Sequence, residues 1–184
     1  MPHFFDQTAV HWRAVPTQDV PVAPFLAAAR ALTGIFDALG SLTLLPVKND
    51  LLKNITTLET ARTQAPLCRT VRQLLLAERT AGRTHGECAI TSYIWLVRGL
   101  VFIGTTFQRW SEHPTEELKT SFAEAYKTTL YKHHTWLQYG AFQVALAGVP
   151  TRAHLLVRLG NPSAVAMSEY FTALRAVTAA LPPA

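Results

Sequence analysis

The sequence predicts an all-α fold, and the spacing of its apolar residues is the main reason. Apolar side chains recur every three to four residues along most of the 184-residue chain, and no segment shows the period of two that marks a strand. Prolines and glycines fall at the ends of these runs, where helices begin and end. Because the sequence shows no internal repeat and no change in composition along its length, we expect one domain over residues 1–184.

The individual helices follow from these breaks in chain order. Residues 1–23 contain three prolines and no sustained period, so we expect an irregular arm with Phe4, Phe5 and Trp12 packed against the core. Proline suits the first turn of a helix, and glycine suits its end. The predicted helices cover about 24–39, 46–63, 66–81, 85–109, 114–130, 133–147, 151–159 and 162–181.

Composition and charge narrow the classes of function. Hydrophobic residues make up 49% of the chain and charged residues 16%, so the apolar surplus must be buried or must line a cavity. The net charge of +5 fits contact with anionic membranes, but the scattered basic residues do not form the dense stripe expected for nucleic-acid binding. The start of the chain lacks the pattern of a signal peptide, and two cysteines make no disulfide framework, so a cytoplasmic location is expected.

The longest apolar run, 89–107, has the length of a membrane span. Arg98 lies at its midpoint, where a charge is costly in lipid, so we predict the central helix of a soluble bundle. Trp95, Arg98 and Phe102 share one face of this helix. Trp95 either fills the core or offers a flat surface to a sugar ring. If Arg98 is buried it needs a carboxylate, and Asp50 is the candidate.

Asp50, Asn54 and Thr57 lie on one face of the second predicted helix. A carboxylate, an amide and a hydroxyl in a row can bind a polyhydroxylated head group, although an ordinary solvated helix face has the same pattern. His134 presents a similar choice between a buried core histidine and the polar group at the entrance of an apolar pocket. The apolar residues on its predicted helix face are Leu137, Ala141, Phe142 and Ala145.

The sequence gives little support for catalysis, a cofactor or a metal. There is no G-x-S-x-G motif, no glycine-rich phosphate loop and no metal-binding spacing among the seven histidines. An amidase that uses Asp50 and His134 would lack a nucleophile. We therefore expect a protein that is not an enzyme.

Three elements occur in order: Asp50-x-x-x-Asn54, then Trp95-Leu-x-Arg98-Gly, then the histidine pair that ends in His134. Over residues 22–160 the chain thereby resembles the glycolipid transfer protein family, most closely its fungal heterokaryon-incompatibility branch. The resemblance implies a two-layer sandwich of about eight helices, with a surface site for a sugar–amide group and an apolar tunnel for lipid chains.

The resemblance also implies roles for individual residues. Asp50 would accept the ceramide amide N–H, His134 would donate to the amide carbonyl, Asn54 would bond sugar hydroxyls, and Trp95 would stack under the first sugar. Thr57 stands where the family usually has a lysine, so one sugar contact is missing. Arg98 is expected in the head-group site beside Trp95. The lipid-chain pocket is expected to include Phe36, Phe102 and Phe142, with Leu137 and Ala145 from the predicted helix face of His134. Trp136, beside Lys132, is expected at the membrane.

The expected function is therefore non-enzymatic transfer of glycosphingolipids between membranes by a monomer, with glucosyl-, galactosyl- or lactosylceramide as ligand. Two alternatives stay open. One is transfer of ceramide-1-phosphate, although that branch has basic residues at the positions of Asn54 and Trp95. The other is a lipid-sensing interaction protein, in which transfer is incidental.

Overall fold

The computed structural model describes residues 4–7 and 11–183, and helices account for most of them. The all-α prediction is confirmed, since the described residues contain no β-strand beyond one isolated bridge between Pro21 and Thr70. Short 3₁₀ helices lie at Trp12–Ala14, Leu42–Leu44 and Tyr131–His133. The α-helices are α1 Phe4–Gln7, α2 Val22–Leu32, α3 Ile35–Leu39, α4 Leu45–Gln64, α5 Val71–Thr80, α6 Ala89–Glu112, α7 Leu118–Thr128, α8 Trp136–Ala147, α9 Arg152–Arg158 and α10 Ala164–Ala180.

Helix α6 is the centre of the fold. It packs against α4, α10, α7 and α5, so helices lie against it on several sides. Most of its largest buried side chains recur at alternating spacings of three and four, which places them on one continuous stripe, and buried residues such as Phe102 and Thr106 lie beside it. This arrangement fits the predicted two-layer sandwich. The residues of the stripe are Tyr93, Leu96, Leu100, Ile103, Phe107 and Trp110.

Two segments, Val22–Leu39 and Ala89–Glu112, are long and apolar enough to cross a membrane by length and composition. In each, 56% of the most apolar window is buried inside the fold. Packing against other helices accounts for much of this apolar surface, as predicted for the run that contains Arg98.

The N-terminal arm is more ordered than expected. Its described part includes α1 and the 3₁₀ turn at Trp12–Ala14. Phe5 lies 4.9 Å from Tyr170 and 5.7 Å from Phe171 of α10, measured between ring centroids. Trp12 is fully buried, so the prediction that these aromatic residues pack against the core is confirmed.

Several helix boundaries differ from those predicted from prolines and glycines, and local hydrogen bonds account for two of the differences. The predicted helix 24–39 is broken after α2, where the Thr33 hydroxyl donates to the Arg30 carbonyl at 2.7 Å. Helix α5 begins at Val71, not at Pro66, because Thr70 forms a capping box with Gln73. Helix α7 begins at Leu118, four residues after Pro114.

The segment around His134 is the most important correction. A helix from His133 to Ala147 was predicted, but His134 has extended backbone, with φ −100° and ψ 142°. Helix α8 begins only at Trp136, because Thr135 caps it through a capping box with Gln138. The side chains of α8 therefore do not share a helix face with His134.

Gly40 ends α3 with φ +63°, in the left-handed region. A methyl group there would meet the Arg158 guanidinium, which donates to the Leu39 carbonyl at 2.9 Å. We predict that Gly40→Ala lowers the free energy of unfolding by more than the ~1–2 kcal/mol that left-handed strain costs. Urea denaturation measures the loss.

Gly82→Ala is the matched control. Gly82 has φ +73°, and nothing lies within 4 Å of the added methyl group, so this variant carries the strain without the clash. Equal losses in the two variants would show that the contact between α3 and α9 contributes nothing.

Candidate functional site

A cavity of about 720 Å³ lies among α4, α6, α7 and α8 and opens to solvent. Most of its wall is apolar, which suits a hydrocarbon ligand. The polar side chains in the lining are Asp50, His134, Gln138 and Thr43, with the indole of Trp95. The apolar lining residues are Leu44, Pro46, Val47, Leu51, Phe102, Ile103, Phe122, Leu130, Ala141, Phe142, Val144, Ala145, Leu146 and Val149.

Helix α4 contributes Asp50 to the cavity and Asn54 behind it. The two residues are one turn apart, and the Asn54 amide donates to the Asp50 carboxylate at 3.2 Å. Asn54 is only 6% exposed, whereas Asp50 reaches solvent. Partial desolvation raises the pKa of the Asp50 carboxyl, while Lys53, Asn54 and His134 oppose that rise. The Asp50 carboxylate is thus a hydrogen-bond acceptor, and its neighbours only partly offset the cost of desolvating its charge.

His134 reaches the same cavity from the segment before α8. Its Nδ1 lies 3.0 Å from the Tyr126 hydroxyl, and its ring centroid is 5.8 Å from that of Trp95. Burial lowers the pKa of His134, and the positive charges of His133 and Arg98 lower it further against the opposing effect of Asp50. The imidazole is therefore neutral near neutral pH, with one N–H to donate.

Arg98 does not pair with Asp50 as expected. Its guanidinium lies over the Trp95 ring, 4.9 Å from the centroid, and no ion pair holds it within residues 4–7 and 11–183. Arg98 is partly exposed and not buried, so its charge does not require a carboxylate partner. A cation–π contact with Trp95 replaces the predicted ion pair.

Thr57 lies outside the cavity lining. Its hydroxyl donates to the Lys53 carbonyl of its own helix at 3.1 Å. Of the predicted polar line, only Asp50 lines the cavity, and Asn54 is bonded to it from behind. Lys53 itself is bound to Glu87.

The predicted pocket residues divide into two groups. Phe102, Phe142 and Ala145 line the cavity. Phe36 is 5% exposed but lies elsewhere in the core, and Leu137 is 65% exposed, so neither lines the cavity, contrary to expectation. Leu137 lies in the first turn of α8, where the side chains are exposed.

Helix α8 presents an apolar surface to solvent next to the cavity. Of its residues only Ala145 and Leu146 are buried. Trp136, its first residue, is 85% exposed, and Lys132 is also exposed, just before the helix. We call the exposed side chains of Trp136, Leu137 and Val144 the α8 apolar surface.

Sequence reasoning missed three polar contributors to the site. Tyr126 bonds His134 from eight residues away, across a helix end, so no periodic pattern connects the two. Gln138 was detectable only as the partner in the capping box with Thr135. Thr43 joins the site because its hydroxyl donates to the Ala145 carbonyl of α8 at 3.3 Å.

Chemically, the site offers an acceptor, a donor and a flat aromatic surface at the mouth of an apolar cavity. Asp50 and His134 can together satisfy both polar atoms of an amide. Within the part of the chain that the structure describes, no group of three or more His, Cys, Asp or Glu side chains is placed to hold a metal ion.

Sequence comparison connects this geometry to known proteins. The family model for "Glycolipid transfer protein (GLTP)" matches residues 20–161. A glycolipid transfer protein from Aureobasidium melanogenum is 32% identical over 163 residues, covering 88% of this chain and 80% of that protein. A glycolipid transfer protein from Danio rerio is 32% identical over 162 residues, covering 82% of this chain and 76% of that protein.

Solved structures give the same result. The fungal glycolipid transfer protein HET-C2 superposes with a TM-score of 0.86 at 30% identity, covering 96% of this chain and 93% of that one. Mouse ceramide-1-phosphate transfer protein superposes with a TM-score of 0.83 at 17% identity, covering 97% of this chain and 93% of that one. At this identity the similarity shows a shared fold alone. The chain belongs to the glycolipid transfer protein family, and its fold is the fold of that family.

Proposed function

We propose that this protein is a non-enzymatic carrier that takes a glycosylceramide from one membrane and releases it at another. Membership of a family of lipid carriers supports lipid transfer as its function. The observation that carries the finer proposal is the position of Asp50, His134 and Trp95 together at the mouth of the 720 Å³ apolar cavity.

A ceramide amide explains the pairing of Asp50 with His134. The amide N–H donates to the Asp50 carboxylate, and the amide carbonyl accepts from the His134 N–H. Because an amide taken out of water without partners costs about 1–3 kcal/mol, the two side chains make the transfer of the lipid from the membrane feasible. The lipid chains then enter the apolar cavity.

A sugar explains the neighbouring residues. Trp95 offers its ring to the C–H face of the first sugar, while Arg98 extends the polar rim beside it. Asn54 keeps an amide oxygen for a sugar hydroxyl while its N–H₂ holds Asp50. Thr57 lies outside the cavity lining, and its short hydroxyl is bonded to the Lys53 carbonyl. It therefore does not replace the lysine usual in the family, and the distal sugar hydroxyls have fewer contacts.

Docking at a membrane is assigned to the α8 apolar surface with Lys132. The exposed indole of Trp136 suits the interface between lipid and water, and Lys132 beside it suits anionic head groups. We further propose that the protein acts as a monomer in the cytoplasm and that its contact with membranes is transient.

Ceramide-1-phosphate is the competing ligand, because Arg98 is a guanidinium without a carboxylate partner within the described residues. A phosphate would, however, also lie near the Asp50 carboxylate and would gain little from Asn54 or Trp95. Vesicle transfer assays with glucosyl-, galactosyl- and lactosylceramide beside ceramide-1-phosphate distinguish the two classes of ligand. Faster transfer of the phosphate than of all three sugars would overturn the proposal.

Trp95→Ala should reduce the rate of transfer of fluorescent galactosylceramide between vesicles by at least about tenfold, because the sugar loses its stacking surface. Val101→Ala is the matched control on the same helix, since Val101 is 36% exposed and lies outside the cavity lining. Circular dichroism should show unchanged helix content. Retained transfer in Trp95→Ala would exclude the stacking role.

Asp50 should show a trade-off between binding and stability. Asp50→Val removes the acceptor for the amide and should reduce transfer by about tenfold. Asp50→Asn removes the charge, which the fold disfavours because the folded pKa is raised. When the folded pKa of a carboxyl is raised, the folded state is relatively more stable below the unfolded pKa, and this contribution is lost as the pH rises through the folded pKa. At neutral pH the ionised Asp50 therefore destabilises the fold, and Asp50→Asn should increase the free energy of unfolding.

The stability difference for Asp50→Asn should shrink below the ordinary pKa of 3.8, where the wild-type carboxyl is protonated in both states. Urea denaturation of Asp50→Asn and wild type, at neutral pH and at a pH below 3.8, measures this difference in the free energy of unfolding. A stability difference that does not depend on pH would contradict the assigned desolvation of Asp50.

Trp136→Ala should weaken adsorption to vesicles by about tenfold, the effect of removing one large apolar side chain from an interface. Binding of a short-chain glycosylceramide in the absence of vesicles should change little. Leu67→Ala is the control, because Leu67 is 89% exposed in the loop before α5. Sedimentation with vesicles measures adsorption, and an equal loss in both variants would count against docking through α8.

A further inference from the structure

Tyr126 connects the apolar wall of the cavity to its polar mouth. The residue lies on α7 and is 1% exposed. Its ring stacks on Phe142, with centroids 3.8 Å apart and planes at 10°. Its hydroxyl lies 3.0 Å from His134 Nδ1. Stacking on one side thus holds the phenol in place against the imidazole on the other.

The direction of the hydrogen bond follows from the surroundings. Burial raises the pKa of Tyr126, and the neighbouring phenols of Tyr139 and Tyr131 add to the effect, so the hydroxyl keeps its proton. Within the described residues, His134 Nδ1 is the only hydrogen-bond partner of this hydroxyl. Donation from Nδ1–H to the phenol oxygen would leave the buried O–H without an acceptor among the described residues, so the geometry favours donation from the Tyr126 O–H to Nδ1.

The tautomer of His134 follows from that bond. A neutral imidazole carries one N–H, so a ring that accepts at Nδ1 carries its proton at Nε2. The charged groups that influence the ring are Asp50 on α4, Arg98 on α6 and the adjacent His133. Nε2 makes no hydrogen bond to any described residue and is free to donate to a ligand in the cavity that His134 lines.

We propose that Tyr126 is a positioning residue that fixes His134 as the Nε2–H tautomer, the form that donates to the carbonyl of a bound lipid amide. The inference rests on the proposed function, because it takes His134 as the donor to the ligand. It adds a residue outside the cavity lining to the recognition of the head group.

The first experiment uses the full chain without lipid. Nitrogen-15 correlation spectra of the histidine rings report which nitrogen is protonated, and His134→Gln identifies the signals. Wild-type His134 should be protonated at Nε2. Tyr126→Phe keeps the ring stack but loses the O–H, so the Nδ1–H form should appear.

Tyr93→Phe is the matched control. Tyr93 is also 1% exposed, and its hydroxyl donates to the Pro182 carbonyl at 2.5 Å, so the variant loses a comparable buried hydrogen bond. It should lose stability without any change in the His134 signals. Wild-type His134 protonated at Nδ1, or identical His134 spectra for Tyr126→Phe and wild type, would overturn the inference.

The second experiment measures lipid affinity. Tyr126→Phe should bind galactosylceramide about fivefold more weakly, the effect of impairing one hydrogen bond, while Tyr93→Phe should bind normally. A change of tautomer without loss of affinity in Tyr126→Phe would overturn the positioning role. Normal affinity in His134→Leu, whose side chain has no donor, would instead contradict the donor role that the proposed function gives to His134.

Discussion

The structure depends on the packing of α6 against its neighbours. One stripe of this helix, including Leu96, Leu100 and Phe107, is buried against other helices. The adjoining stripe, with Trp95 and Phe102, forms part of the cavity wall. Since one rigid helix supplies both, the position of Trp95 relative to Asp50 is set by the core packing between α6 and α4. Core packing therefore positions Trp95 against Asp50, whereas His134 reaches the site from the extended segment before α8.

The helices and the first half of the site could be predicted from the sequence because their signals are local. Asp50 and Asn54 are one helical turn apart, and Trp95 follows from the same reasoning on α6. The surroundings of His134 could not be predicted in this way, since a capping box at Thr135 interrupts the helical pattern. Phe36 shows another limit, because an apolar residue on a helix gives no sign of whether it faces a core or a cavity.

Electrostatics gives the site a consistent character. Desolvation raises the pKa of Asp50 and lowers that of His134, so in both residues it favours the neutral form. The two pKa values move in opposite directions because desolvation disfavours the charged form, which is the ionised form of a carboxyl and the protonated form of an imidazole. The low tolerance for charge at these two residues is consistent with the uncharged amide of the proposed ligand.

The edge of the cavity at α8 has a consequence for how the protein holds a lipid chain. Val144 lines the cavity and is also 62% exposed, so the apolar wall continues from the cavity into the α8 apolar surface. Any part of a lipid chain that extends beyond the cavity would therefore lie along exposed apolar side chains, where a membrane can cover it.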